Sequence, residues 1–149
     1  MSKFVYKLQN VLNLKLKMED QAKQAFSTAQ ARLNDEEEAL QALQQRKRVY
    51  EERAKTLLSG VLQVREIESN KNAILVMDGF IANQRTKVEQ ARMRVEQARE
   101  QMMVAMQERK TQEILRDRAF EEFLREENRA ESKAIDELTS YVYGQKAEV

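Results

Sequence analysis

An all-α fold, a long antiparallel two-helix coiled-coil hairpin, is the architecture predicted for this 149-residue chain. Three observations predict it. The chain has no proline and only three glycines, Gly60, Gly79 and Gly144, so no residue removes a helical N–H or clashes with a preceding turn. Charged residues make up 34% of it and hydrophobic ones 42%, a mixture typical of long helices or coiled coils. Its apolar residues recur at alternating spacings of four and three, which lays one narrow stripe along each helix.

The first stripe is Val5, Leu8, Leu12, Lys15, Glu19, Ala22, Phe26, Ala29, Leu33, Glu36, Leu40, Leu43, Lys47, Tyr50, Ala54, Leu57, Val61 and Val64, and fourteen of these eighteen positions are apolar. Gln, Lys, Arg and Glu dominate between them. So narrow a stripe calls for one partner helix rather than a thick core. The charged members Lys15, Glu19, Glu36 and Lys47 are expected to fix register while their charged ends reach outward to solvent.

The second stripe is Ile67, Asn70, Ile74, Met77, Ile81, Gln84, Val88, Ala91, Val95, Ala98, Met102 and Ala105, with ten of twelve apolar. Past Met106 the same spacing would place Arg109, Gln112 and Arg116 on the stripe. A stutter that locally unwinds the supercoil is therefore expected there, followed by a broader apolar face with Leu115, Ala119, Phe120, Phe123, Leu124, Ile135 and Leu138. The methionines Met93, Met102, Met103 and Met106 fit seam packing and gap filling beside that stutter.

Three places could host the reversal: Ser59-Gly60, Glu68 to Asn72, and Asp78-Gly79. Glycine takes the left-handed conformation without penalty, which favours Ser59-Gly60 at the end of the first stripe. The register of Ile67, Ile74, Met77 and Ile81 continues across the other two. The expectation is a single coiled-coil domain over residues 1–149, with a first helix at about 4–58, a tip at about 59–63 and a second helix at about 64–142. The first helix would be roughly 80 Å long.

Composition narrows the function. The formal charge of +1 arises from 26 basic and 25 acidic residues interspersed along the chain, whereas a general nucleic-acid binder needs a surplus of Lys and Arg. Cysteine and histidine are absent, which removes disulfides, thiolate and imidazole metal sites, and histidine acid-base catalysis. Runs such as Asp35-Glu36-Glu37-Glu38 spread around a helix as a solvated face. No Gly-rich phosphate loop is present, and two helices build no water-excluding pocket, so no catalytic residue, cofactor or metal is expected. Charges interrupt the N-terminal residues, and the longest apolar run, Ala73 to Met77, is far short of a membrane span; a cytosolic, soluble protein without direct membrane insertion is expected. Arg46-Lys47-Arg48, the compact basic run, fits a solvated face and, secondarily, contact with an acidic partner surface.

Phe4-Val5-Tyr6-Lys7-Leu8-Gln9, followed by Val11-Leu12, Lys15 and Glu19, resembles the N-terminal signature of the FliJ family of flagellar export proteins. Length, lack of proline, tip position and a long charged second helix extend the resemblance over the whole chain. It implies a cytoplasmic stalk-like component of the flagellar type III export apparatus, peripheral at the inner face of the cell membrane. The implied partners are the export ATPase hexamer at the paired chain ends, the cytoplasmic domain of the export gate nearer the tip, and export chaperones. Carried onto this chain, the ATPase end comprises Phe4, Tyr6, Leu8, Leu12, Leu115, Ala119 and Phe123. The gate region comprises Leu43 and Tyr50, with Ala73 and Met77 standing where the family often has aromatic or leucine residues, and Phe80 nearby as a substitute. The alternative is a general coiled-coil chaperone or scaffold with no ATPase partner. A nucleic-acid-binding arm would require steeply salt-dependent binding, which the near-neutral charge disfavours.

Overall fold

The computed structural model describes residues 2–147. It contains two helices, α1 (Gln9–Leu57) and α2 (Val64–Ala147), packed against each other, with no strand among the described residues. The fold is therefore the all-α, two-helix arrangement that the stripes predict. Two compact units are formed, one of Gln21–Met103 and one of Met1–Asp20 with Val104–Val149.

In the unit of Gln21–Met103, Leu33, Val88, Ala91 and Val95 form the buried core, with Phe26, Ala29 and Leu40 packed against it. The partners run antiparallel: Glu36 meets Gln84, and Tyr50, further along α1, meets Asn70, earlier on α2. Asn70 Nδ2 donates to the Tyr50 carbonyl at 3.0 Å, and Gln84 Nε2 donates to the Glu36 carbonyl at 2.9 Å and to its carboxylate. These two polar residues of the second stripe thus clamp α1 by its main chain, whose carbonyl oxygens have a second lone pair to offer. Arg99 lies 5.6 Å from the centre of the Phe26 ring, closing the exposed side of that aromatic.

α1 stops where glycine allows it to. Ser59 N donates to the Thr56 carbonyl at 3.2 Å and Ser59 Oγ to the same oxygen at 2.8 Å, and Gly60 then takes φ +90°. That left-handed value is open to glycine and strained for residues with a Cβ.

In the unit of Met1–Asp20 with Val104–Val149, Leu12 is 2% exposed and Ala105 8%, both at stripe positions. The seam does not shift here. Arg109 and Gln112 are half-buried on the continued four-three spacing, and Ala119 and Phe123 follow in the same register. The expected stutter is absent because α1 supplies matching polar groups: Glu19 receives Arg109, and the Tyr6 hydroxyl donates to Gln112 Oε1 at 3.2 Å. Polar residues replace apolar ones on the stripe at Arg109 and Gln112, while Arg116, the next stripe position, is exposed.

The expected outward reach of the four charged stripe residues is likewise corrected. Lys15 pairs with Glu108 at 3.0 Å, Glu19 with Arg109, Glu36 with Gln84, and Lys47 with Asp78 at 2.6 Å, all across the seam. Every one meets α2. Among the described residues no buried side-chain polar atom lacks a partner, as a narrow seam with charges on it requires.

The helix bounds differ from expectation at two ends. α1 begins at Gln9 rather than about residue 4, and α2 continues to Ala147 rather than about 142. The first difference has a direct cause. Phe4 and Tyr6 are half-buried while Lys3, Val5 and Lys7 are exposed, the period-two alternation of an extended chain; on a helix, residues two apart point to different sides. Val5 and Leu8, expected on the stripe, are therefore 73% and 45% exposed.

Candidate protein-interaction surfaces

Apolar side chains stay open at the chain ends, on α2 after the tip, and at the tip itself. The first surface lies at the chain ends. The extended residues before α1 carry Phe4 onto α2, with ring centres 5.1 Å from Phe120 in an edge-on arrangement and 5.4 Å from Phe123. Phe120 and Phe123 are 6.4 Å apart. Such aromatic pairs add to burial through their ring quadrupoles. Around them Leu8, Ile114, Leu115 and Leu124 are exposed.

Of the residues expected to bind at this end, Phe4, Tyr6, Ala119 and Phe123 are brought together, and Leu8 borders the same groove. Leu12 is not on the surface; its burial assigns it to seam packing. Leu115 is 39% exposed. Phe120, missed as a site residue, completes the cluster; its spacing of three from Phe123 was the available signal. After Glu127 every described side chain of α2 is exposed, including Ile135, Leu138, Tyr141 and Tyr143.

The second surface is on α2 shortly after the tip, where Phe80 is half exposed and Val76, one turn earlier, is similarly open. Among the residues expected here, Leu43, Tyr50 and Ala73 are half-buried and Met77 is buried. Phe80 alone of that set is exposed, by about half. Met77 lies on the seam and serves packing, because it occupies a stripe position.

The third surface is the tip itself, where Val61 and Val64, expected on the first stripe, lie past the end of α1 and outside the seam. Leu58, Val61, Leu62 and Val64 are all largely exposed. The signal was present in the sequence: the nine residues Thr56 to Val64 carry no charge in a chain that is one-third charged. A loop normally meets water, so exposed aliphatics there mark an interaction site more often than chance.

Electrostatics within the units follow the cross-seam pairs. Hydrogen bonding from Gln84, and then the nearby Arg32, hold the Glu36 carboxyl below its ordinary range. The Asp78 hydrogen bond holds the Lys47 ammonium above its ordinary range. Glu19 and then Glu113 raise Arg109. All three charges are stabilised in place, which suits alignment of two helices. Among the described residues no acidic cluster could hold a metal ion, and no helix is long and apolar enough to cross a membrane.

Residues 3–148 match the family described as Flagellar FliJ protein. The chain belongs to the flagellar FliJ protein family. No curated protein matches it, and no solved structure does. Membership makes this FliJ-family chain a component of the flagellar export apparatus, of a non-catalytic kind, acting in flagellum biogenesis and protein export. Its two long packed helices and its seam agree with a coiled-coil member of that family.

Proposed function

We propose that the chain is the stalk of the flagellar export machinery: its paired chain ends bind the hexameric export ATPase, and the Phe80 surface contacts the cytoplasmic domain of the export gate. It escorts export chaperones as part of the same duty. It works in the cytoplasm, at the inner face of the membrane, through the apparatus it binds. The observation that carries the ATPase contact is the cluster of Phe4, Phe120 and Phe123, with exposed aliphatics around it, in the unit that holds the two chain ends. Aromatic anchors ringed by apolar surface are typical of residues that dominate binding energy. The gate contact is supported by the exposed Phe80 and Val76 in the other unit.

Co-sedimentation of the purified chain with the export ATPase, with and without nucleotide, tests this. Wild type travels with the ATPase, and Phe123→Ala weakens binding about tenfold. Phe80→Asp leaves that binding intact and weakens the gate domain instead. The exposed Ile135, Leu138 and Tyr143 favour a second reading, a free coiled-coil chaperone without an ATPase partner. A pull-down that returns many unrelated clients and no ATPase selects it.

A further inference from the structure

Gln44 and Glu51 on α1 and Leu58, one residue past its end, recur every seven residues, as do Lys71, Asp78 and Arg85 on α2. A seven-residue step returns to the same side of a coiled-coil helix. Both rows therefore border one flank of the unit of Gln21–Met103, and the two grooves that they line lie end to end along it. Phe80 lines neither groove.

The groove next to the tip has a volume of about 310 Å³ and is walled mainly by Ala54, Leu57, Leu58, Ile74 and Leu75, with Lys71 as its one charged residue. The second groove opens with Lys47, whose ammonium holds both nearby carboxylates, Glu51 at 3.7 Å and Asp78 at 2.6 Å. Beyond it Arg48 and Arg85 face the groove. Among the described residues Arg48 contacts the neutral Gln45 side chain, at 3.4 Å, and no carboxylate. Among the described residues, Lys71, Arg48 and Arg85 form no ion pair. The flank is thus an apolar trench followed by a surplus of uncompensated cations.

We infer that this flank docks an acidic amphipathic helix of a partner protein, with apolar side chains seated beside Leu58 and Leu75 and carboxylates paired with Lys71, Arg48 and Arg85. Charge selects the partner: the flank's own acids are already engaged, so carboxylates from outside are what the arginines can take, and guanidinium forks bind these well. Shape selects a helix. An extended peptide gains affinity by pairing with free backbone groups, and the sides of two helices offer none, whereas a third helix fits the trench between them. From Lys71 to Arg85 is 14 residues, or about 21 Å along α2, so the docked segment spans about four turns.

Two labelled synthetic helical peptides of about sixteen residues test it on the full chain. Both carry two leucines one turn apart near one end; one carries glutamates two to three turns further on, the other lysines at those places. The acidic peptide binds, and the lysine peptide binds at least about tenfold more weakly. Arg48→Glu with Arg85→Glu reverses that preference, and Leu75→Asp removes binding while circular dichroism shows the helices retained. The inference is overturned if neither peptide binds, if both bind alike, or if charge reversal leaves the acidic peptide unaffected. Self-association of the free chain that Leu75→Asp abolishes would give the groove to a second copy and overturn it equally.

Discussion

Arg109 donates from Nε to Oε2 of Glu19 across the seam, where Glu19 is only 6% exposed. The same guanidinium holds Glu113 on its own helix at 2.8 Å. Two carboxylates are thereby gathered on one cation at the place where the apolar stripe of α2 gives out. A buried ion pair is more easily broken by removing one partner than by replacing both. Arg109→Leu should therefore lower the melting temperature more than Arg109→Leu combined with Glu19→Leu, and thermal unfolding of the two variants checks it. Equal losses would contradict the penalty expected for a buried carboxylate left without its cation.

Gly60 and Gly79 should respond oppositely to alanine. Gly60 has φ +90°, so Gly60→Ala should destabilise by about 1 kcal/mol through backbone strain. Gly79 lies inside α2 and an added Cβ there meets nothing within 4 Å. Gly79→Ala should stabilise by up to about 1 kcal/mol from helix propensity. Urea unfolding midpoints of the two variants decide this.

Leu40 packs against the core of Leu33, Val88, Ala91 and Val95. Leu40→Asp should destabilise by about 3 kcal/mol or more, since it sets a charge against an apolar seam. Far-ultraviolet circular dichroism should show lost helix and a lowered transition. Ile135→Asp, at a side chain 63% exposed, should leave the transition where it was. Full helix content and stability in Leu40→Asp would contradict the packing described.

The Glu36 carboxyl is held below its ordinary range by Gln84 and then by Arg32, so its contribution to stability has a fixed sign. The contribution is complete above the unfolded glutamate pKa of about 4.3 and fades as pH falls through the lower folded value. Glu36→Gln should flatten the acid side of the stability profile below that pH. Lys47 behaves oppositely, since its pKa is raised: its contribution is complete below the unfolded lysine value of about 10.4 and fades as pH rises through the folded one. Lys47→Met should flatten the alkaline side. Unfolding measured across pH in both variants checks the two arms separately.

The seam was legible in the sequence because a helix has a fixed angular step. From Leu12 to Leu57 and from Ile67 to Ala105 every stripe position is buried or half-buried. Gly60 was legible as the point of reversal, since only its backbone is free to take a positive φ there. Two members of the chain-end aromatic cluster, Phe4 and Phe123, were legible too. The extended stretch before Gln9 was not, because Val5 and Leu8 read as members of a helical stripe until Phe120 and Phe123 are seen to receive Phe4 instead.

The sequence by itself determined that the chain makes two long helices joined near Gly60, and that each has one apolar side, because periodicity and backbone freedom are local properties. Only the tertiary structure decided what the polar stripe residues do. Whether Glu19, Glu36 or Lys47 turns to water or to the facing helix depends on which residue stands opposite, and so on the pairing of positions far apart in the chain. Arg109 looked like a fault in the stripe; packed beside Glu19, it is part of the seam.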